Sequence, residues 1–208
     1  MGKLLPEIEA YAQKRIAEFT MISNHRKTEL GKVSKFIENR IKNHQSVDLL
    51  FICIHNSRRS HMSQIWAQSA AYFYGTKNIH TYSGGIEATA FNPRAIRALK
   101  KAGFKIKKVD KSKNPEYHIT YANNAEKIQS YSKKYSDQNN PQSDFCAVMT
   151  CAQADEACPI VYGATERISI NYDDPKSFDG TNQEEEKYDE RCRQIAREML
   201  YIFSKINV

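Results

Sequence analysis

Apolar residues in the first forty positions recur with a helical period. Ile8, Tyr11, Ala12, Ile16 and Phe19 form one stripe, and Leu30, Val33, Ile37 and Ile41 form a second. Spacings of three and four residues predict two amphipathic helices within residues 6–42. Ser23-Asn24 between them supplies a break and a cap for the second. At Val47 the period disappears. Val47-Asp48-Leu49-Leu50-Phe51-Ile52-Cys53 is a nearly continuous apolar, β-prone run, the pattern of a strand covered on both faces. The helical period returns with Met62, Ile65, Trp66, Ser69 and Phe73, and Gly75 fits the position just past a helix end. Ile79–Ser83 reads as a second strand and Gly84-Gly85 as a turn. Asn92-Pro93 opens a helix running to about Ala102, with Pro93 at its first position and Gly103 as its stop. In the middle segment, Tyr117–Tyr121 reads as extended, Ala125 to about Tyr135 as helical, and residues 137–141 as a loop. Phe145–Thr150 is a buried strand and Arg167–Ile170 a fourth strand. Thr181 with Glu184 resembles a capping box, followed by a helix to about Ile206 with Tyr188, Cys192, Ile195, Met199 and Ile202 inward.

Strands alternating with helices predict an α/β fold: a doubly wound, four-stranded parallel sheet flanked by helices. Residues 1–45 form an N-terminal helical arm, expected to pack on the main domain or a second subunit, and residues 46–208 form that domain. Ligands of such sheets bind beyond the carboxyl ends of the strands. The residues after Cys53, Cys151 and Asp174 all follow strands, so the topology gathers them at one edge.

Composition narrows the classes. With 208 residues and 40% hydrophobic content the chain can bury a sizeable core. No apolar stretch is long enough to span a bilayer, and the first residues lack a secretory core, so a cytoplasmic location without membrane contact is expected. The net charge is +7, but lysines and arginines are spread along the helices. The densest stretch, Lys100 to Lys108, reads as a solvated helix end and turn, and no nucleic-acid partner is expected. A basic balance instead suits steering of a small oxyanion. Five cysteines, an odd number unevenly spaced, argue for thiol chemistry over a disulfide framework.

The chemistry concentrates in Cys53-Ile54-His55-Asn56-Ser57-Arg58-Arg59-Ser60. A strand, an anion-sized loop and a helix start aim several amide N–H groups and the positive end of a helix dipole at one point. Such a field lowers the pKa of a thiol at the strand end, from ~8.5 towards ~3.5–7.5. Arg59 can hold an oxyanion bidentately, as lysine cannot. A cysteine ending a buried strand is by itself more often packing than catalysis; the loop and Arg59 change that balance for Cys53. Cys146 and Cys192 fall inside strand and helix patterns and read as core.

Cys-x5-Arg-Ser at 53–60, the pair Cys151 and Cys158, and Asp174-Pro175 far downstream together resemble the low-molecular-weight protein tyrosine phosphatase superfamily, and within it most of all the thioredoxin-coupled arsenate reductases. Tyr82-Ser83-Gly84-Gly85-Ile86-Glu87 and Asn92-Pro93-Arg94-Ala95 resemble that family's second strand and following helix. The resemblance covers about residues 47–206 and leaves the arm outside. It implies Cys53 as nucleophile, residues 54–59 as the oxyanion loop with Asn56 holding its shape, Arg59 as clamp, Ser60 as hydrogen-bond donor to the thiolate, and Asp174 as general acid. It also implies a relay in which Cys151 attacks Cys53, Cys158 then attacks Cys151, and thioredoxin or another thiol donor reduces the product, with no bound cofactor or metal. The alternative it leaves is a phosphatase hydrolysing phosphomonoesters through a phospho-Cys53 intermediate. Three positions depart from the family: His55 stands where many members have Gly, Gln64 where potassium-binding reductases have Glu, and Lys176 where tyrosine phosphatases usually have Tyr.

Overall fold

The central strand of the molecule, β1 (Val47–Cys53), is apolar on both sides because both its faces are covered. This computed structural model describes residues 2–207. Ahead of β1 lie α1 (Pro6–Ile16), a short 3-10 turn and α2 (Asn24–Lys42). Pro6 opens α1, acidic Glu7 and Glu9 sit at its positive end, and Lys14 and Arg15 at its negative end. Ser23 caps α2 by accepting a hydrogen bond from the Arg26 amide at 3.2 Å.

After β1 come α3 (Arg59–Tyr74), β2 (Ile79–Gly85) and α4 (Pro93–Lys101). Gly75 ends α3 with a left-handed φ of 74°. A second, three-stranded antiparallel sheet follows, of β3 (Lys105–Lys108), β4 (Tyr117–Thr120) and β5 (Ile128–Ser130), with β4 central. Then come β6 (Phe145–Met149), α5 (Ala152–Ala157), β7 (Ala164–Ser169), a 3-10 helix at Pro175–Phe178 and α6 (Glu184–Ser204). The main sheet is wholly parallel in the order β2-β1-β6-β7. Ile52 lies beside Gly84 on one side and Met149 on the other, which brings the carboxyl ends of the strands into line. Among the described residues no helix is long and apolar enough to cross a membrane.

Three expectations are corrected. The segment predicted as a helix from Ala125 to Tyr135 is extended. Ile128 of β5 pairs with Ile119 of β4, and Gly85 exchanges backbone hydrogen bonds with Lys133 and Tyr135 at 2.9 and 2.8 Å. Long-range pairing to two strands overrides a weak helical spacing of apolar residues. Gly84-Gly85 is the end of β2 and no turn. A Cβ at Gly85 would lie 2.6 Å from the Asn56 nitrogen and 2.7 Å from the Ile54 oxygen, and one at Gly84 2.5 Å from Cα of Tyr135. These glycines allow close approach of backbones. The capping box is also displaced by a residue: Glu184 accepts from the Gly180 amide at 2.8 Å, while Thr181 Oγ1 accepts from Gln183.

Side chains of β1 alternate between two apolar layers. Leu49 and Phe51 join a large layer with Ile8, Leu30 and Ile37 of the arm, Trp66 of α3, and Ile195 and Met199 of α6. Leu50 and Ile52 join a smaller layer with Phe145, Ala147, Met149, Cys53, Cys151, Ala154 and Cys158.

Candidate active site

Residues 54–58 connect the end of β1 to the first turn of α3. The carbonyls of this loop are engaged on its outer side. Cys53 O accepts from the Ile86 amide at 3.2 Å and Ile54 O from the Glu87 amide at 2.8 Å. Ser132 Oγ donates to His55 O at 2.9 Å, and the Asn92 amide donates to Ser57 O at 2.9 Å. With the carbonyls turned outward, the loop presents its amide edge inward beside the N-terminus of α3, a lining suited to an oxyanion. The left-handed backbone falls at Asn56, with φ 43°, a conformation asparagine tolerates. His55, one position earlier, therefore carries no strain in place of glycine.

Asn56 is buried and braces the loop in two directions. Its Nδ2 donates to Ser60 Oγ at 2.9 Å, and its Oδ1 accepts from the Lys133 amide at 2.9 Å. Ser60 Oγ lies 3.1 Å from Cys53 Sγ. Because Asn56 already donates to that oxygen, the hydroxyl hydrogen of Ser60 is available to the sulfur.

Arg59 is buried at the start of α3. Its Nη1 donates to Tyr172 O at 2.9 Å and its Nη2 to Asp174 Oδ2 at 2.8 Å. Its Nε has no protein partner among the described residues. Arg58 Nη1 stands 3.6 Å from the same Asp174 oxygen, while its Nε donates to Tyr188 OH at 3.1 Å and that hydroxyl donates to Asp179 at 2.8 Å. Asp174 also caps the following 3-10 helix, accepting from the Lys176 amide at 3.1 Å. Ser57 Oγ donates to Ala90 O at 2.7 Å, which fixes the far side of the loop.

Cys151 lies just past the end of β6, next to the strand that ends in Cys53; the Thr150 amide donates to Ile52 O at 2.8 Å. It stands at the residue just before α5 and is fully buried, and Cys158 at the other end of α5 is 9% exposed. All three thiols are free. Burial pushes the Cys151 thiol up, against the pull of the Arg59 guanidinium and nearby amides. Cys146 and Cys192 are buried in the large layer, away from this cluster, and burial drives Cys192 up to about 12.

Several participants carried no signal in the sequence. Arg167 of β7 holds α5: its guanidinium donates to Cys158 O at 3.0 Å and to Asp155 O, and pairs with the Asp155 carboxylate. Asp155 also accepts from Ser169 Oγ at 2.7 Å and Asn171 Nδ2 at 3.2 Å. Burial works against its charge, but these donors hold its carboxyl below the usual range. Lys133 is buried beside the loop, with its ammonium 4.5 Å from the Tyr131 ring centre, and burial lowers it to about 8. Tyr172 contributes a backbone oxygen, which any residue has, so no residue type marks it.

The sequence profile of low molecular weight phosphotyrosine protein phosphatases matches residues 48–118. An arsenate reductase of Halalkalibacterium halodurans is 29% identical over 136 residues, 65% of this chain and 79% of its own. Arsenate reductase 2 of Staphylococcus epidermidis is 30% identical over 127 residues, 61% of this chain and 77% of its own. Among solved structures, a low molecular weight protein tyrosine phosphatase from T. tengcongensis aligns with a TM-score of 0.54 at 17% identity, over 77% of this chain and 99% of that one, which shows the shared fold.

Proposed function

The chain belongs to the low-molecular-weight phosphotyrosine protein phosphatase family, with an arsenate reductase 30% identical to it, and from that membership we propose that it reduces arsenate by a three-thiol relay. The Cys53 thiolate, with the Ser60 hydroxyl at 3.1 Å, attacks arsenic. Arg59 and the amide edge of the loop hold the oxyanion. Arg59 and Asp174 are ion-paired in the structure, so an oxyanion that takes the guanidinium frees the Asp174 carboxylate to take up a proton from solvent and pass it to the departing oxygen, which leaves as water. The product is an arsenic–sulfur bond at Cys53.

Cys151 then attacks Cys53 Sγ as a thiolate. The sulfur–arsenic bond breaks with its electron pair passing to arsenic, so As(V) becomes As(III), arsenite departs and a Cys53–Cys151 disulfide remains. Cys158 attacks Cys151, returning Cys53 as thiolate and forming Cys151–Cys158. A thioredoxin-like dithiol of the cytoplasm reduces that bond and is itself oxidised. The six residues of α5 lie between Cys151 and Cys158, and a helical rise over seven positions sets their backbones about 10 Å apart, beyond disulfide reach, so the last exchange requires α5 to unwind. The observation that carries this reading is the placement of Cys53, Cys151 and Cys158 in one buried layer, all reduced.

Cys53, Arg59 and Asp174 would serve a phosphomonoester equally well; the two further thiols are what a hydrolase has no use for. Reduced protein treated with one equivalent of arsenate, with disulfides mapped by mass spectrometry, separates the two. Wild type is expected to accumulate Cys151–Cys158, and Cys158→Ser to trap Cys53–Cys151. Neither bond with arsenate, alongside normal hydrolysis of an aryl phosphate, overturns the reductase reading in favour of the phosphatase.

A further inference from the structure

We infer that Arg26, in the N-terminal arm, is a positioning residue for Asp174, acting through the residues 171–173 that precede it. The inference rests on the reading of Asp174 as proton donor. The arm lies ahead of the residues matched by the family profile.

Arg26 stands in the first turn of α2, on the amide that Ser23 caps. Its guanidinium reaches four groups at once. Nε and Nη2 both donate to Glu198 Oε2 of α6, at 3.0 and 2.8 Å, and Nη1 donates to Glu29 at 3.0 Å. Nη2 also donates to Asn171 O at 3.2 Å, and the guanidinium lies over the Tyr172 ring, 5.0 Å from its centre. Glu198 is buried and further fixed by Gln194 at 3.1 Å, so the arginine is anchored from behind by a rigid helix.

The segment it touches leaves the sheet at that point. Ile170 and Tyr172 still donate to Met149 O and Thr150 O, at 2.8 and 3.1 Å. Beyond Tyr172 the chain turns away to Asp173 and Asp174. Arg26 holds the backbone of Asn171 and the ring of Tyr172 from the arm side, while the carbonyl of Tyr172 accepts from Arg59 on the site side. Asn171 also donates to Asp155, which ties the same segment to α5. One arginine of the arm thus fixes the last residues before Asp174 against two packed helices. An ion pair kept only for stability would need Glu198; it would not need the Asn171 carbonyl or a flat face on Tyr172.

Arg26→Lys keeps a cation for Glu198 but loses the planar fork that spans Glu198, Glu29 and Asn171. The test is a double-mutant cycle with Asp174→Asn in the full chain, reading single-turnover rates on arsenate and on p-nitrophenyl phosphate together with thermal midpoints. In the otherwise native protein, Arg26→Lys is expected to lower both rates about tenfold, short of the ~10²–10⁴-fold of losing the acid. In the Asp174→Asn background the same change is expected to cost less than about twofold, because the group it positions is gone. Should Arg26→Lys fail to fold, Tyr172→Leu removes the ring while keeping the carbonyl and the Arg26–Glu198 pair, and the same non-additivity is expected. Equal losses in both backgrounds, or a full rate in a folded Arg26→Lys protein, overturn the inference while leaving the slow Asp174→Asn protein explained. A full rate in Asp174→Asn alone rejects the proton-donor reading, and with it the route through which Arg26 acts.

Discussion

The two faces of the main sheet are built to different standards. On one, α2, α3 and α6 lie over Leu49, Phe51 and Val148, and the layer continues into the arm. On the other, Leu50, Ile52, Ala147 and Met149 are covered by the six-residue α5 and the loops around it. The thick face holds Cys146 and Cys192, two thiols made inert by burial; the thin face holds Cys53, Cys151 and Cys158. A helix of fewer than two turns adds little apolar burial, so it can open at far lower cost than the whole fold. The exchange proposed between Cys151 and Cys158 would need such a cover, and the same chemistry under α3 and α6 would require global unfolding.

Substitutions on the two faces should therefore separate cleanly. The largest effect is expected from Cys53→Ser on the thin face: turnover of arsenate and of phosphomonoesters falls to background. The thermal midpoint should move by no more than about 4 °C, the shift of ~1 kcal/mol in a chain of this size. Substantial residual activity would remove Cys53 from the role of nucleophile. On the thick face the signs invert. Trp66 is fully buried, stacked on Tyr11 at 5.4 Å and edge-on to Phe104 at 4.9 Å. Trp66→Ala should cost about 3–5 kcal/mol in denaturant unfolding while the disulfides formed with arsenate stay the same. A changed disulfide pattern would mean that the two faces are coupled.

A smaller effect follows from the buried Cys151 thiol. Its pKa is raised by burial, so its thiolate is scarce at neutral pH and grows as pH rises. In Cys158→Ser, single-turnover formation of Cys53–Cys151 should accelerate by up to about tenfold per unit from pH 7 to 9. A flat profile would mean that opening of α5, and not thiolate supply, sets the rate. The smallest change is expected at Arg167, the partly exposed residue that ties α5 to β7. Arg167→Gln should speed Cys151–Cys158 formation about two- to fivefold, in keeping with the ~1 kcal/mol of a partly exposed pair. Amide exchange in α5 should rise in step. A slower exchange of disulfides in this variant would show that Arg167 orients Cys158 instead of restraining it.

Much of this was legible in the sequence because it is local. The Cys53 loop lies within eight consecutive residues, and strand ends at Cys151 and Asp174 follow from apolar runs that stop. The inner side of α6 was legible for the same reason: Tyr188, Cys192, Ile195, Met199 and Ile202 keep a helical period, and all are buried. What was not legible depends on partners far apart in the chain. Ala125–Tyr135 has helical spacing, yet it is drawn out by pairing with β4 and with Gly85. Gly84-Gly85 looks like a turn until Asn56 and Tyr135 are placed against it. Arg26 is one of many basic residues on an amphipathic helix, and nothing local distinguishes it from those facing solvent.

Lys133 gives the site an intrinsic chemical reporter. Its amide holds Asn56, which holds Ser60, and its side-chain amine is lowered to about 8 by burial. Near neutral pH an appreciable fraction of that amine is unprotonated, whereas lysines with ordinary values near 10.4 are almost wholly cationic. Acylating reagents should accordingly single out Lys133 when the surrounding shell breathes and spare it when the loop is clamped. Its labelling rate then records how firmly the loop after β1 is held, without touching Cys53, Cys151 or Cys158.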